Sequence, residues 1–178
     1  MNFTPEQKLI VSMLADILKI VDTEKKSNFD ADFISSAVLG KYDWAISWEH
    51  QSIADPKRTD PPEVTEVVNH LDMWSLIEQA YASLDAADKA WLAKEVPHFG
   101  NNPQFSGYDG NNESTHMGTA RFLIHKMERF TEFAERDLNS HGPRVDRYNQ
   151  MYSIFSSIRP QVQFRNLTKE ELEQILQA

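Results

Sequence analysis

Thr4-Pro-Glu-Gln-Lys-Leu-Ile-Val-Ser-Met-Leu-Ala-Asp-Ile-Leu18 contains a complete helix start followed by a helical stripe. Thr4 suits the N-cap, Pro5 the first helical position, and Gln7 closes a capping box. Leu9, Ile10, Met13, Leu14, Ile17 and Leu18 then recur with the period of a helix, not the alternation of a strand. The stripe fades near Asp22, and Thr23 to Asn28 reads as a loop.

The same signals recur along the chain. A second helix is predicted from about Asp30 to Leu39, with Phe33, Ile34, Ala37 and Val38 on one face and Gly40 as a left-handed C′ residue. Tyr42, Trp44 and Trp48 mark a helical turn packed on the core. Ala54 to Pro62, charged and rich in proline, reads as a long exposed loop. A third helix runs from about Pro61 to Ser83 on the stripe Val64, Val67, Leu71, Trp74 and Tyr81. Asp85 caps a fourth, which carries Trp91 and Leu92.

Pro97 to Asn112 reads as a structured loop with an extended piece at Gln104 to Tyr108. A fifth helix from about Glu113 to Glu135 is predicted to be the longest and central one. A sixth runs to about Arg159 with Tyr148, Met151, Phe155 and Ile158 inward. The last starts at Thr168, capped reciprocally by Glu171. The expectation is an all-α fold: one domain over residues 1–178, a bundle of about seven helices, and one polar loop before the long helix.

Composition narrows the function classes. The chain has 178 residues, of which 40% are hydrophobic, 25% charged and 11% aromatic, and these are globular values. It has no cysteine, so disulfides, thiolate metal sites and cysteine nucleophiles are excluded. The net charge of −9 comes with no basic run, which argues against nucleic-acid binding. No apolar run approaches the roughly 18 residues of a membrane span. Asp16 and Lys19 interrupt any reading of the start as a signal peptide. A cytoplasmic protein with no cofactor is expected.

The most unusual stretch is Phe105-Ser-Gly-Tyr-Asp-Gly-Asn-Asn-Glu113. Asp109-Gly110 favours a tight turn with positive φ, and Asn111 or Asn112 can cap the next helix. That makes a turn and a cap, with no ligand needed. The functional alternative is a polar pocket above the helix N-terminus. Asp109, Asn111 and Glu113 alternate as calcium-loop ligands do, yet Ser114 and Ala120 stand where an EF-hand needs Gly and Glu, so no metal is expected. Arg121 is expected to hold the loop through Asp109 or Glu113, with Asp72 as another possible partner. Asp72 could equally accept from a tryptophan indole, since the four tryptophans read as core.

Asn139-Ser140-His141 reads as a helix-end turn; as a Ser–His pair it is poor, because adjacent side chains seldom meet. Arg136 and His141 have the Arg-x4-His spacing that resembles the HEPN superfamily. That resemblance would imply a metal-independent ribonuclease with both residues catalytic across a dimer interface.

Several segments in order carry a wider resemblance: Leu9 to Ile17, Tyr42-Asp-Trp44 with Trp48-Glu49, Leu71-Asp-Met-Trp74, Gly107 to Glu113, Ala120-Arg-Phe122, Leu138-Asn-Ser-His141 and Tyr148-Asn-Gln-Met151. Over nearly its whole length the chain resembles the YfbU family of bacterial proteins. The resemblance implies a helical fold but brings no activity with it. Some members join this domain to a helix-turn-helix domain, which suggests a ligand-binding module; this chain is expected to lack that extension. The residues matching the family here are Asp72, Asp109, Asn111, Asn112, Glu113, Arg121, Asn139 and His141, and they form the candidate site. The leading expectation is a non-enzymatic ligand-binding or regulatory module. Its expected partners are itself, as a dimer or larger assembly, and a small-molecule or protein ligand. An enzyme, HEPN-like or another hydrolase, is the alternative.

Overall fold

Helix α1 spans Pro5–Val21 and starts as the sequence predicts. Gln7 N–H donates to the Thr4 hydroxyl at 3.3 Å, and Thr4 N–H donates to the Gln7 side chain at 3.0 Å. The computed structural model describes residues 3–24, 26–55, 57–162 and 165–178. Among them are eight α-helices and no strand, so the fold is all-α. The chain divides into two compact units, residues 1–61 and 62–178.

In residues 1–61, α1 packs on α2 (Ala31–Leu39), and α2 packs on α3 (Asp43–Glu49). Asp30 caps α2 by accepting from Phe33 N–H at 2.9 Å. The aromatic turn is a full helix, α3, with Trp44 buried. Gly40 is not the left-handed residue: its φ is −79°, and Lys41 takes φ 64° instead. What Gly40 supplies is small size, because a Cβ there would lie 2.6 Å from the Tyr42 ring. The expected exposed loop is pinned. Arg58 donates to the Asp43 carbonyl and the Ser47 hydroxyl, both at 3.1 Å, and Trp48 Nε1–H donates to Asp60 at 2.9 Å. Pro56 lies outside the described residues.

In residues 62–178 the centre is α4, Pro62–Ser83, at 22 residues the longest helix. It packs against α6 (Ser114–His125), α7 (Val145–Ile158) and α8 (Lys169–Leu176), while α5 (Ala86–Glu95) packs on α8. The α5 cap at Asp85 and the α8 capping box at Thr168 and Glu171 form as expected.

The fifth predicted helix is corrected: α6 ends at His125 and is neither the longest nor the central helix. Met127 N–H reaches back five residues to Phe122 at 3.1 Å, and Arg129 N–H reaches back six to Leu123 at 3.0 Å. Glu128 and Phe130 then adopt φ 52° and 54°. Local propensity does not explain this stop, because Lys126 to Glu135 holds good helix formers. Tertiary anchors do: Phe133 is fully buried against Phe105 at 5.2 Å, and Arg136 is held by Glu78.

Candidate functional site

Three chain segments meet around Phe105–Glu113 and are tied mainly through backbone groups. Glu78, on α4, accepts from Phe105 N–H at 2.8 Å and grips Arg136 through two bonds of 2.6 Å. Tyr108 N–H donates to the Leu138 carbonyl and Ser140 N–H to the Tyr108 carbonyl, each at 3.0 Å, making one parallel bridge between Tyr108 and Asn139. The predicted extended piece therefore ends in a single bridge.

Gly107 is the position this crossing requires. Its φ is 82°, and a Cβ would fall 2.1 Å from the Leu138 carbonyl oxygen. Gly107→Ala should therefore break the bridge and lower stability by about 2 kcal/mol or more, read as the shift of a urea unfolding midpoint. Gly110 does not take the positive φ expected of it; its N–H donates to the Asn139 side chain at 3.1 Å.

Each acid in the loop is engaged by its surroundings. Asp109 accepts from Asn111 N–H at 3.0 Å and from the Asn112 amide, in an Asx turn. These bonds hold its carboxyl below the usual carboxylate range, the Asn111 N–H contributing most. Only 3% of Asp109 is exposed. Neither Asn111 nor Asn112 caps α6; Glu113 stands at the N-cap with no side-chain bond into that helix. Its carboxylate turns elsewhere, accepting from Asp109 N–H at 2.9 Å and from Arg144 and Val145 N–H at 2.7 Å each. Arg144 is the N-cap of α7 and Val145 its first residue. Glu113 therefore supplies the cap that α7 lacks locally, with a negative charge at the positive end of the helix dipole.

Beneath the loop lies a polar trio, two of its members buried and Asn149 half-buried, that the sequence reading missed. His70 on α4 is fully buried; its Nδ1 meets Tyr108 Oη at 3.0 Å and its Nε2 meets Asn149 Oδ1 at 2.9 Å. With the amide oriented this way, Nε2–H donates to Asn149 and Nδ1 accepts from the Tyr108 hydroxyl. Burial pushes the imidazole pKa down to about 4, although the Asn149 bond opposes this. A signal was present: His70 lies three residues after Val67 and four before Trp74, on the buried stripe of α4. Beside it His116 pairs with Glu66 at 2.7 Å.

The candidate residues are thus only partly gathered. Asp109, Asn111, Asn112, Glu113 and Asn139 come together, and His141 joins through its backbone N–H on Asn139 at 3.1 Å. Arg121 does not hold the loop; it faces Asp137 at 3.9 Å, both side chains well exposed. Asp72 serves neither Arg121 nor an indole, because Arg159 takes it at 2.7 and 3.2 Å. Trp74 Nε1–H, fully buried, has no acceptor among the described residues. Arg136 is locked to Glu78, while His141 is exposed on a turn with φ 53°, so the two residues of the Arg-x4-His spacing do not share a helix. Chemically, the loop acts as a brace whose donors and acceptors are matched to one another.

The model of the YfbU domain matches residues 1–178, the whole of the chain that carries these features. The chain belongs to the YfbU family. It is also similar to the UPF0304 protein MJECS11 of Methanocaldococcus jannaschii, with 34% identity over 79 residues. That alignment covers 42% of this chain and 46% of the relative, just under half of the latter's length. In YfbU terms, the brace accounts for five of the family-matching residues by their hydrogen bonds alone. No helix of the described residues is long and apolar enough to cross a membrane.

Proposed function

We propose that this chain is a non-enzymatic interaction module. In this reading residues 62–178 form a braced helical body, and residues 1–61 present the binding surface. One observation carries it: among the described residues all ten exposed large hydrophobics, from Leu9 to Ile53, fall in residues 1–61. Exposed apolar surface gathered in one part of a chain marks a place of contact. The polar loop, by contrast, spends its groups on backbone N–H groups of the loop itself and of the start of α7.

The same unit offers a ligand groove. An apolar cavity of about 220 Å³ lies between α1 and α2, walled by Val11, Leu14, Phe29 and Ile34. A polar one of about 430 Å³ adjoins it, sharing Leu18, Phe29 and Ala31. Lys19 and Asp32, paired at 2.7 Å, line its polar end. The groove suits a ligand with an apolar body and one charged end. The protein would do this work in the cytoplasm, in keeping with its lack of cysteine.

Methyl NMR with anilinonaphthalene sulfonate tests the assignment. Shifts should appear at Leu14, Leu18 and Ile34 and not at Leu123 or Leu138. Shifts confined to the surroundings of the Phe105–Glu113 loop would return the site to that loop and refute the proposal.

A further inference from the structure

Helix α1 has two apolar faces, and α2 covers only one. Val11 and Leu18 are partly covered and Ala15 is buried, on the side where α1 meets α2. On the opposite side stand Ile10, Met13, Leu14, Ile17, Ile20 and Val21, with Leu9 at the edge, each 53–74% exposed. At 3.6 residues per turn these seven fall within an arc of about 140°, and no charged residue between Leu9 and Val21 enters it. Their spacing is that of a, d and e positions over two heptads: Ile10, Met13, Leu14, then Ile17, Ile20, Val21. This is the pattern of a helix that packs against another helix on that face.

We infer that this seam is a homodimer interface, with α1 of a second copy seated on it and two α1–α2 hairpins forming a four-helix bundle. The inference rests on residues 1–61 being the binding unit and goes further by naming the occupant. The seam leaves on the order of 600 Å² of apolar surface, the top of the range a monomer exposes and most of the roughly 800 Å² each partner gives a standard interface. A two-fold interface needs a surface that complements itself. A stripe of aliphatic side chains at heptad spacing does so without requiring an opposite charge on the partner. Of the seven seam residues the α1–α2 groove shares only Leu14, so a ligand and a second copy occupy largely different surfaces.

The test uses the full chain. Sedimentation equilibrium at micromolar concentration should give twice the 20.5 kDa chain mass. Ile17→Glu, at the seam's centre, should weaken association at least tenfold while leaving the circular dichroism unchanged. Because the chain has no cysteine, Asp16→Cys offers one labelling site beside the seam. A nitroxide there should report its copy within about 20 Å, since packed helices lie about 10 Å apart. A monomeric mass would overturn the inference and leave the seam to a partner of another kind. A dimer unchanged by Ile17→Glu, with labels far apart, would also overturn it by placing the interface elsewhere. In either case, methyl shifts with anilinonaphthalene sulfonate at the groove would leave the binding-unit reading standing.

Discussion

Glu113→Ala should destabilise the protein by about 3–5 kcal/mol, because three backbone N–H groups lose a charged acceptor together. Two of them begin α7, whose N-terminus would then have no side-chain cap. The third belongs to Asp109, so the loop and α7 should loosen in the same variant. Glu113→Gln should cost less, about 1–2 kcal/mol, because one oxygen can still accept from Arg144 and Val145 while the amide faces Asp109 N–H. Urea unfolding followed by circular dichroism reads both. A loss under about 1 kcal/mol for Glu113→Ala would mean that water or another acceptor replaces the carboxylate, and the brace would not be a brace.

Acid should weaken the fold through His70. Its folded pKa of about 4 lies below the ordinary value of 6.5 that the unfolded chain shows. Between those values the unfolded state takes up a proton that the folded state refuses. The stability due to neutral His70 is therefore complete above pH 6.5 and is lost as the pH falls toward 4, by about 3 kcal/mol in all. The structural reason is specific. Protonated Nδ1 cannot accept from the Tyr108 hydroxyl, and a charge would sit in a site 0% exposed. His70→Gln can keep one donor and one acceptor in place, so its unfolding free energy should be flatter between pH 6.5 and 4. Carboxylates titrate in the same range, which is why the difference between the two proteins is the measure. Parallel pH curves for both would place the acid sensitivity elsewhere.

The sequence disclosed those parts of the fold whose partners lie within one turn. Thr4 with Gln7, Asp85 with Asp88 and Thr168 with Glu171 are separated by three residues, and each forms as read. The end of α6 was illegible because its cause is distant: Phe133 against Phe105 and Arg136 against Glu78 stop a segment that would otherwise continue as helix. The loop was legible as a cluster but not in its wiring. Glu113 answers N–H groups about thirty residues away, and backbone donors leave no trace in side-chain identity. Nor does the sequence tell which acid Arg121 meets, since its partner is Asp137 and not an acid of the loop. The apolar stripe of α1 is legible as helical, but periodicity alone does not tell that five of its six residues, all but Leu18, stay uncovered.

The bridge between Tyr108 and Asn139 also shapes how the protein breathes. Tyr108–Leu138, Ser140–Tyr108, Gly110–Asn139 and Glu113–Arg144 are all bonds across the neck of one long chain excursion that contains α6 and the unwound stretch after it. Such an excursion has little reason to fray residue by residue from its ends, because its ends are tied to each other. It would instead detach as a cooperative block when the neck lets go, with the amide hydrogens of Tyr108, Gly110 and Ser140 exchanging at a common rate and those of α6 no faster than the neck permits.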